Sequence, residues 1–189
     1  HLIDIIGPDE SFNVAQFKDL ANKAIKDISS RGKLPIMVGG TGLYIDSVIY
    51  DYQFGGNQSD KELRQNTLVI GIQQERDELK QKVYARTKAM IKNGLEVEVK
   101  QLVDKYSWDC EVLRSISYRE WQPYFESQKD DQKPQVSLQD VEDMINKDTL
   151  ELAKKQRTWF KRNKSIHWLT TPVNMDDIVD LATTFFMHK

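Results

Sequence analysis

The sequence has 189 residues and a formal net charge of −2; 30% of its residues are charged and 39% are hydrophobic. This balance is typical of a globular protein and excludes a disordered chain, and nucleic-acid binding would need a local basic patch. The single cysteine excludes an internal disulfide and a cysteine-rich zinc site. No apolar run approaches the roughly 20 residues that span a bilayer, and no secretory signal opens the chain. We therefore expect a cytoplasmic protein that does not bind membranes.

The first part of the sequence predicts alternating strands and helices. Short apolar runs at 1–6, 34–38 and 68–72 predict strands. Asn13 and Gln16 form a capping box for a helix that ends at Gly32, and a second helix is predicted over 43–50. Helix followed by strand, repeated, is typical of a parallel α/β fold. The polar segment 54–66 predicts a linker or an insertion point.

The remaining sequence predicts mainly helices. Their ranges are 75–93, 95–106, a short helix within 114–125, 137–163 and 174–186. Ser137 and Asp140 form a capping box, and Asn174 caps the last helix. One more short strand is predicted at 166–169. The sequence therefore predicts an α/β fold, with a parallel sheet flanked by helices and a helix-rich C-terminal half.

The most informative segment follows the apolar run 34–38, where Gly39, Gly40, Thr41 and Gly42 lead into a helix. A strand, a glycine turn and a helix in this order bind phosphates in α/β proteins, because free N–H groups at a helix N-terminus attract anions. Thr41 adds a hydroxyl group. The turn matches neither a Walker A loop nor a dinucleotide fingerprint. A tight connection without a ligand is therefore an open alternative.

Two arginines in segment 113–121 form a second candidate site. Arg114 and Arg119 can each present a planar guanidinium group to phosphate oxygens. Surface arginines that pair with nearby glutamates are commoner, so this pattern alone does not decide between the two roles.

A basic stretch near the C-terminus is the third candidate. Residues 149–164 contain six basic residues and one acid. At about 100° per residue, one face of the predicted helix carries Lys154, Arg157, Lys161 and Lys164. The opposite, packing face carries Ile145, Leu152 and Trp159. The basic face is either solvated or a contact surface for an RNA backbone.

Together these segments resemble the tRNA dimethylallyltransferase (tRNA isopentenyltransferase) family. The motifs that carry the resemblance occur in family order: H-L-I-D at 1–4, P-D-E-S at 8–11, R-G-K-L-P-I-M-V-G-G-T-G-L-Y at 31–44, Y-D-Y-Q-F at 50–54, N-G-L at 93–95, R-S-I-S-Y-R-E-W at 114–121 and A-K-K-Q-R-T-W-F at 153–160. The resemblance implies a P-loop NTPase-like fold that binds nucleotides. It implies transfer of a dimethylallyl group from its diphosphate to N6 of the adenosine 3′ of a tRNA anticodon, with Mg²⁺ as cofactor. Its partners would be tRNA and dimethylallyl diphosphate, and we expect a monomer.

The resemblance also assigns roles to individual residues. Thr41, at the reaction channel, and Arg114, on the diphosphate, are the predicted catalytic residues. The predicted substrate-binding residues are Gly39, Gly40, Gly42, Lys154, Lys155 and Gln156. The predicted tRNA-binding residues are Arg157, Lys161 and Lys164. No residue of the chain is predicted to bind a metal ion.

The sequence departs from the family pattern in several places. The N-terminal P-loop and the D-S-x-Q-x-Y segment with the general base are absent, and residues 55–67 stand where the family has a helical tRNA-binding insertion. We therefore interpret 1–189 as an incomplete catalytic α/β core. Ser117 replaces a usual Gly, and Leu150-Glu151-Leu152 replaces R-Q-Y. Prenylation of free adenine nucleotides, as in cytokinin-forming relatives, and a non-catalytic RNA- or nucleotide-binding remnant are the alternatives.

Overall fold

The structure, a computed structural model, describes residues 1–54, 62–129 and 135–187. The elements within these ranges are α1 (Val14–Ser30), α2 (Gly42–Ile49), β1 (Val69–Gln73), α3 (Arg76–Lys92), α4 (Leu95–Tyr106), α5 (Gln122–Ser127), α6 (Leu138–Phe160), β2 (Ile166–Thr170) and α7 (Met175–Met187). Two short 3₁₀ turns, 111–114 and 119–121, precede α5. The predicted α/β fold with a helix-rich second half is confirmed. None of the helices in the described ranges has the length and apolarity to cross a membrane.

The capping residues predicted from the sequence begin two of the long helices. The Asn13 side chain accepts a hydrogen bond from the Gln16 backbone N–H at 3.0 Å, and the Gln16 side chain accepts one from the Asn13 N–H at 2.9 Å. At the start of α6, Ser137 Oγ accepts from the Asp140 N–H at 3.2 Å, and Asp140 Oδ2 accepts from the Ser137 N–H at 2.8 Å. These bonds satisfy N–H groups that the helix itself leaves unpaired.

The sheet consists of β1 and β2, which pair in parallel. Both strands were predicted, at 68–72 and 166–169. Gly71 lies opposite Trp168 in the register, and a Cβ atom on Gly71 would lie 2.7 Å from Trp168 Cε3. The indole ring therefore packs where a side chain at position 71 would lie, which explains the glycine inside a strand.

The structure has no strand at 1–6 or at 34–38, so these two predictions are wrong. Residues 34–38 adopt no strand, and Leu34, Ile36 and Val38 are 59%, 77% and 91% exposed. A strand is defined by hydrogen bonds to a neighbour, and within the described ranges no segment pairs with this one. Near the N-terminus, Leu2 and Asp4 have φ values of 61° and 56°, which interrupt an extended strand.

The chain divides into two compact units, each with its own core. The first unit comprises residues 1–5, 12–74 and 156–189, and the second comprises 6–11 and 75–155, so that α6 begins in the second and ends in the first. Buried apolar side chains of the first unit are Ala21, Val48, Ile49, Tyr52 and Ile166. The buried core of the second unit is Leu95, Val99, Cys110, Leu113, Trp121, Val141 and Ile145.

Ser117, in the second unit, occupies a backbone conformation that favours glycine. Its φ is 80°, and its backbone N–H donates to Glu120 Oε2 at 2.9 Å. The Glu120 side chain is buried and also accepts a hydrogen bond from Arg119 Nε at 3.2 Å. A serine at this position therefore bears the steric cost of the left-handed region, about 1–2 kcal/mol, which glycine avoids.

We expect Ser117→Gly to raise the free energy of unfolding by about 1 kcal/mol, because the strain at φ 80° is removed. Urea denaturation of the wild-type and variant proteins measures this difference. Ser115→Gly is the matched control, since Ser115 has an ordinary φ of −79° and glycine there should lower stability. A Ser117→Gly protein that loses stability as the Ser115→Gly protein does would contradict the prediction.

Candidate active site

The glycine turn, residues 39–42, ends at the N-terminus of α2. Thr41 is the N-cap residue, with φ −82° and ψ 100°, and its side chain makes no capping hydrogen bond. Thr41 is exposed, whereas the second half of α2, Asp46 to Ile49, is buried. A firmly packed helix thus presents its N-terminus and a hydroxyl group to solvent. This arrangement can bind an anion through N–H groups, the helix dipole and the hydroxyl.

Two side chains from the end of α6 pack against this turn. Gln156 Nε2 donates to the Gly40 carbonyl at 3.0 Å, and a Cβ atom on Gly40 would lie 2.6 Å from that nitrogen. A Cβ atom on Gly42 would lie 2.4 Å from Trp159 Cδ1. Packing against the rigid Trp159 ring therefore accounts for Gly42 without a ligand, whereas at Gly40 the contacting atom is the end of the flexible Gln156 side chain, which can move.

Gly39 differs from the other two glycines of the turn. A Cβ atom there would meet only Ile45 Cδ1, at 3.8 Å, which is ordinary van der Waals contact. The residue is exposed. Packing therefore does not require glycine at position 39, and this glycine remains the one whose small size suits the approach of a ligand.

Asp46 is a residue of this region that the sequence analysis did not identify. It is 8% exposed, and its Oδ2 accepts a hydrogen bond from Trp159 Nε1 at 2.9 Å. The available sequence signals were its position one helical turn after Gly42 and the position of Trp159 three residues after Gln156. Neither signal shows that the two segments meet.

The two arginines of segment 113–121 have different surroundings in the second unit. Arg119 contacts the carboxylates of Glu120 and Asp148. Its hydrogen bond lowers the pKa of Asp148, while burial raises the pKa of Glu120. Arg114 is exposed, and no carboxylate of the described ranges forms a salt bridge with it. Arg119 is thus a paired arginine, and Arg114 is the one available to a phosphate.

The predicted basic face is exposed, but it is not one helical face. Lys154 and Arg157 are exposed on α6, whereas Lys161 and Lys164 are exposed beyond its end at Phe160. Lys155, predicted to bind substrate, is also exposed on α6. The helix stops three residues earlier than predicted. On the predicted packing face, Ile145 is buried and Trp159 half-buried, as expected.

Leu152 was also predicted to lie on the packing face. This part of the prediction is wrong, because Leu152 is 43% exposed.

The structure brings only some of the predicted site residues together. Gly39, Gly40, Thr41, Gly42 and Gln156 lie around one turn in the first unit. The same unit carries Arg157, Lys161 and Lys164, whereas Arg114, Lys154 and Lys155 belong to the second unit.

The described residues contain no cluster of side chains that would bind the expected Mg²⁺ through three or more protein ligands. Nowhere in the ranges 1–54, 62–129 and 135–187 do three or more His, Cys, Asp or Glu side chains cluster at metal-binding distance. Mg²⁺ binds carboxylate and phosphate oxygens. Because Mg²⁺ often needs only one or two carboxylates together with substrate phosphates, the Mg²⁺ cofactor stays a prediction, and none of the chemistry below uses it.

The chain matches the family model described as IPP transferase over residues 1–67 and 56–163. The tRNA dimethylallyltransferase of Bacillus subtilis (strain 168) is 29% identical over 242 residues, which cover 93% of this chain and 75% of the relative. The tRNA dimethylallyltransferase of Anoxybacillus flavithermus is 32% identical over 228 residues, covering 89% of this chain and 71% of the relative.

Solved structures agree with this match. The tRNA isopentenylpyrophosphate transferase of Bacillus halodurans is similar with a TM-score of 0.84 and 28% identity, covering 100% of this chain and 77% of that one. The tRNA delta(2)-isopentenylpyrophosphate transferase of Staphylococcus epidermidis is similar with a TM-score of 0.81 and 26% identity, covering 99% and 80%. Since the family model matches most of the sequence, the chain belongs to the IPP transferase family.

Proposed function

We propose that this chain acts in tRNA modification, as a tRNA dimethylallyltransferase that uses dimethylallyl diphosphate and the adenosine 3′ of the anticodon. Adenosine N6 forms a bond to C1 of the dimethylallyl group while the bond from C1 to the diphosphate oxygen breaks. The N6 proton passes to a base, and diphosphate leaves. The names of the relatives, all tRNA dimethylallyltransferases or tRNA isopentenylpyrophosphate transferases, support this reaction. These names do not favour either alternative function, which are prenylation of free adenine nucleotides and a non-catalytic RNA- or nucleotide-binding remnant.

The observation that carries the proposal is the exposed Thr41 at the N-terminus of α2, a helix whose second half is buried. Diphosphate is an anionic leaving group, and its departure builds up negative charge on oxygen. Fixed N–H groups and a hydroxyl at a helix N-terminus stabilise such charge without having to reorganise. The Thr41 hydroxyl has no capping role in α2, which leaves it available to the substrate.

The exposed Arg114 is the second group that we assign to the diphosphate. A guanidinium group binds two phosphate oxygens at once, and its charge offsets that of the leaving group. Arg119 is not assigned this role, because its Nε and Nη2 already pair with the carboxylates of Glu120 and Asp148.

We also propose that residues 55–67 mark the site where relatives carry a tRNA-binding insertion. The family model matches in two segments that overlap at 56–67, and the alignment to the B. subtilis relative spans 242 residues although this chain has 189. Residues on either side of 55–61 contact α1: Lys18 pairs with Asp51 at 2.8 Å, and Arg64 donates to Asn22 at 2.9 Å. Such anchored flanks suit an insertion point. Residues 55–61 lie outside the described structure.

Several expectations stay predictions. These are the binding of ATP or another nucleotide, the Mg²⁺ cofactor, the cytoplasmic location and the monomeric state.

The reaction is tested with the full-length protein, radiolabelled dimethylallyl diphosphate and tRNA that lacks the modification. We expect labelled N6-dimethylallyladenosine next to the anticodon after nuclease digestion and chromatography. Adenosine monophosphate serves as the competing acceptor. Label on the mononucleotide alone would favour the cytokinin-type reaction, and label on neither acceptor would leave the proposed activity refuted.

Arg114→Ala in the full-length protein should lower kcat/KM for dimethylallyl diphosphate by about 10²-fold, because one charged donor to the leaving group is lost. The Kd for tRNA should stay within about twofold. Steady-state kinetics and filter binding measure the two quantities. Arg76→Ala, which removes an exposed arginine on α3, is the control and should change neither. A variant that loses tRNA affinity while retaining diphosphate kinetics would contradict the role of Arg114.

Lys161→Glu should make the Kd for tRNA less dependent on salt. Each cation on the RNA backbone releases counterions when it binds, so the slope of log K against log salt concentration should fall in magnitude by about 1. Filter binding at several KCl concentrations measures the slope. Lys26→Glu reverses an exposed charge on α1 of the same unit and is the control. An unchanged slope for Lys161→Glu would identify the basic residues as a solvated face.

A further inference from the structure

Trp159 packs against the backbone of α2 at the residue that follows Thr41. A Cβ atom on Gly42 would lie 2.4 Å from Trp159 Cδ1 and 2.5 Å from Nε1. Real side chains do not approach so closely, so the indole fills the space that any other residue at position 42 would need. The Arg162 guanidinium lies 5.6 Å from the centre of the indole ring, within the range of a cation–π contact.

The same indole makes a second contact with α2. Its Nε1 donates to Asp46 Oδ2 at 2.9 Å, and Asp46 is 8% exposed. Gly42 and Asp46 are four residues apart and therefore lie on one face of the helix. A single side chain thus touches α2 at two points one turn apart, which fixes both the distance of the helix from α6 and its rotation about its own axis.

Gln156 holds the other side of the turn. It lies three residues before Trp159 on the same face of α6, and its amide donates to the Gly40 carbonyl at 3.0 Å. Thr41 is therefore flanked by two residues that α6 holds in place. The Thr41 side chain makes no capping hydrogen bond to α2 that would hold it in place without these contacts.

We propose that Trp159 is a positioning residue for the diphosphate substrate. By its contacts with Gly42 and Asp46, it holds the Thr41 hydroxyl and the first N–H groups of α2 where the leaving group binds. This inference rests on the proposed function. Trp159 is not a catalytic residue, because it acts on the substrate only through the glycine turn.

The test compares two Trp→Phe variants of the full-length protein. Trp159→Phe keeps an aromatic ring against Gly42 but removes the hydrogen bond to Asp46. Trp168→Phe is the matched control, because Trp168 also packs against a glycine of the first unit, Gly71. We expect Trp159→Phe to lower kcat/KM for dimethylallyl diphosphate by about tenfold or more, since small displacements of binding groups have effects of this size. The Kd for tRNA should be unchanged. Trp168→Phe should change neither kcat/KM nor the Kd for tRNA once both are corrected for the fraction of folded protein.

A double-mutant cycle tests whether the effect passes through Asp46. Asp46→Leu removes the acceptor from the other side, and the double variant should be no worse in kcat/KM than the more impaired single variant. Thermal unfolding of each protein separates this result from loss of fold. Activities that merely follow the folded fraction, or equal effects of Trp159→Phe and Trp168→Phe, would overturn the proposal.

The binding of inorganic diphosphate, measured by calorimetry, distinguishes this proposal from the proposed function. Weaker diphosphate binding by Trp159→Phe than by Trp168→Phe supports the positioning role even if the wild-type protein transfers no label to tRNA. Equal binding by both variants, in a protein that modifies tRNA, refutes the positioning role and leaves the proposed function intact.

Discussion

The contact between Trp159 and Gly42 is the constraint on which the candidate site depends. The indole takes the place of a side chain at position 42 and donates to the buried Asp46 at 2.9 Å. A close-packed ring and a buried hydrogen bond together leave α2 few other positions, because either contact would be lost if the helix moved. The location of Thr41 therefore follows from how the end of α6 packs against the glycine turn and α2.

In the second unit, charged groups rather than glycines order the functional segment. Glu120 is buried beside the core residue Trp121 and accepts hydrogen bonds from the Ser117 backbone and from Arg119. Arg119 also bridges to Asp148 on α6. A buried carboxylate is stable only with such partners. Two arginines five residues apart thus differ in their partners, since Arg119 pairs with two carboxylates and Arg114 with none in the described ranges.

Local signals predicted the helices well, and contacts between distant segments decided the rest. The capping box of Asn13 and the strands at 69–73 and 166–170 follow from nearby residues and apolar runs. The run 34–38 has the composition of a strand, but strand formation requires a neighbour that composition does not reveal. The glycine pattern predicted a ligand site, yet Gly42 is explained by the Trp159 ring, on a helix more than 100 residues later in the chain. The pairing of Arg119 with Asp148, 29 residues away, is equally invisible to local patterns.

The end of α6 presents different chemistry on its two sides, and this links the two parts of the proposed function. Gln156 and Trp159 face the glycine turn, while Arg157 and, just beyond the helix end, Lys161 are exposed. An amide and an indole can pack closely against backbone, whereas solvated cations can meet an RNA backbone without first losing a partner. Because the helix is continuous through Phe160, Arg157, which we propose to contact RNA, and the two side chains that pack against the glycine turn belong to one element. On the proposed function, tRNA bound along the cations would lie against the same helix that sets the position of Thr41.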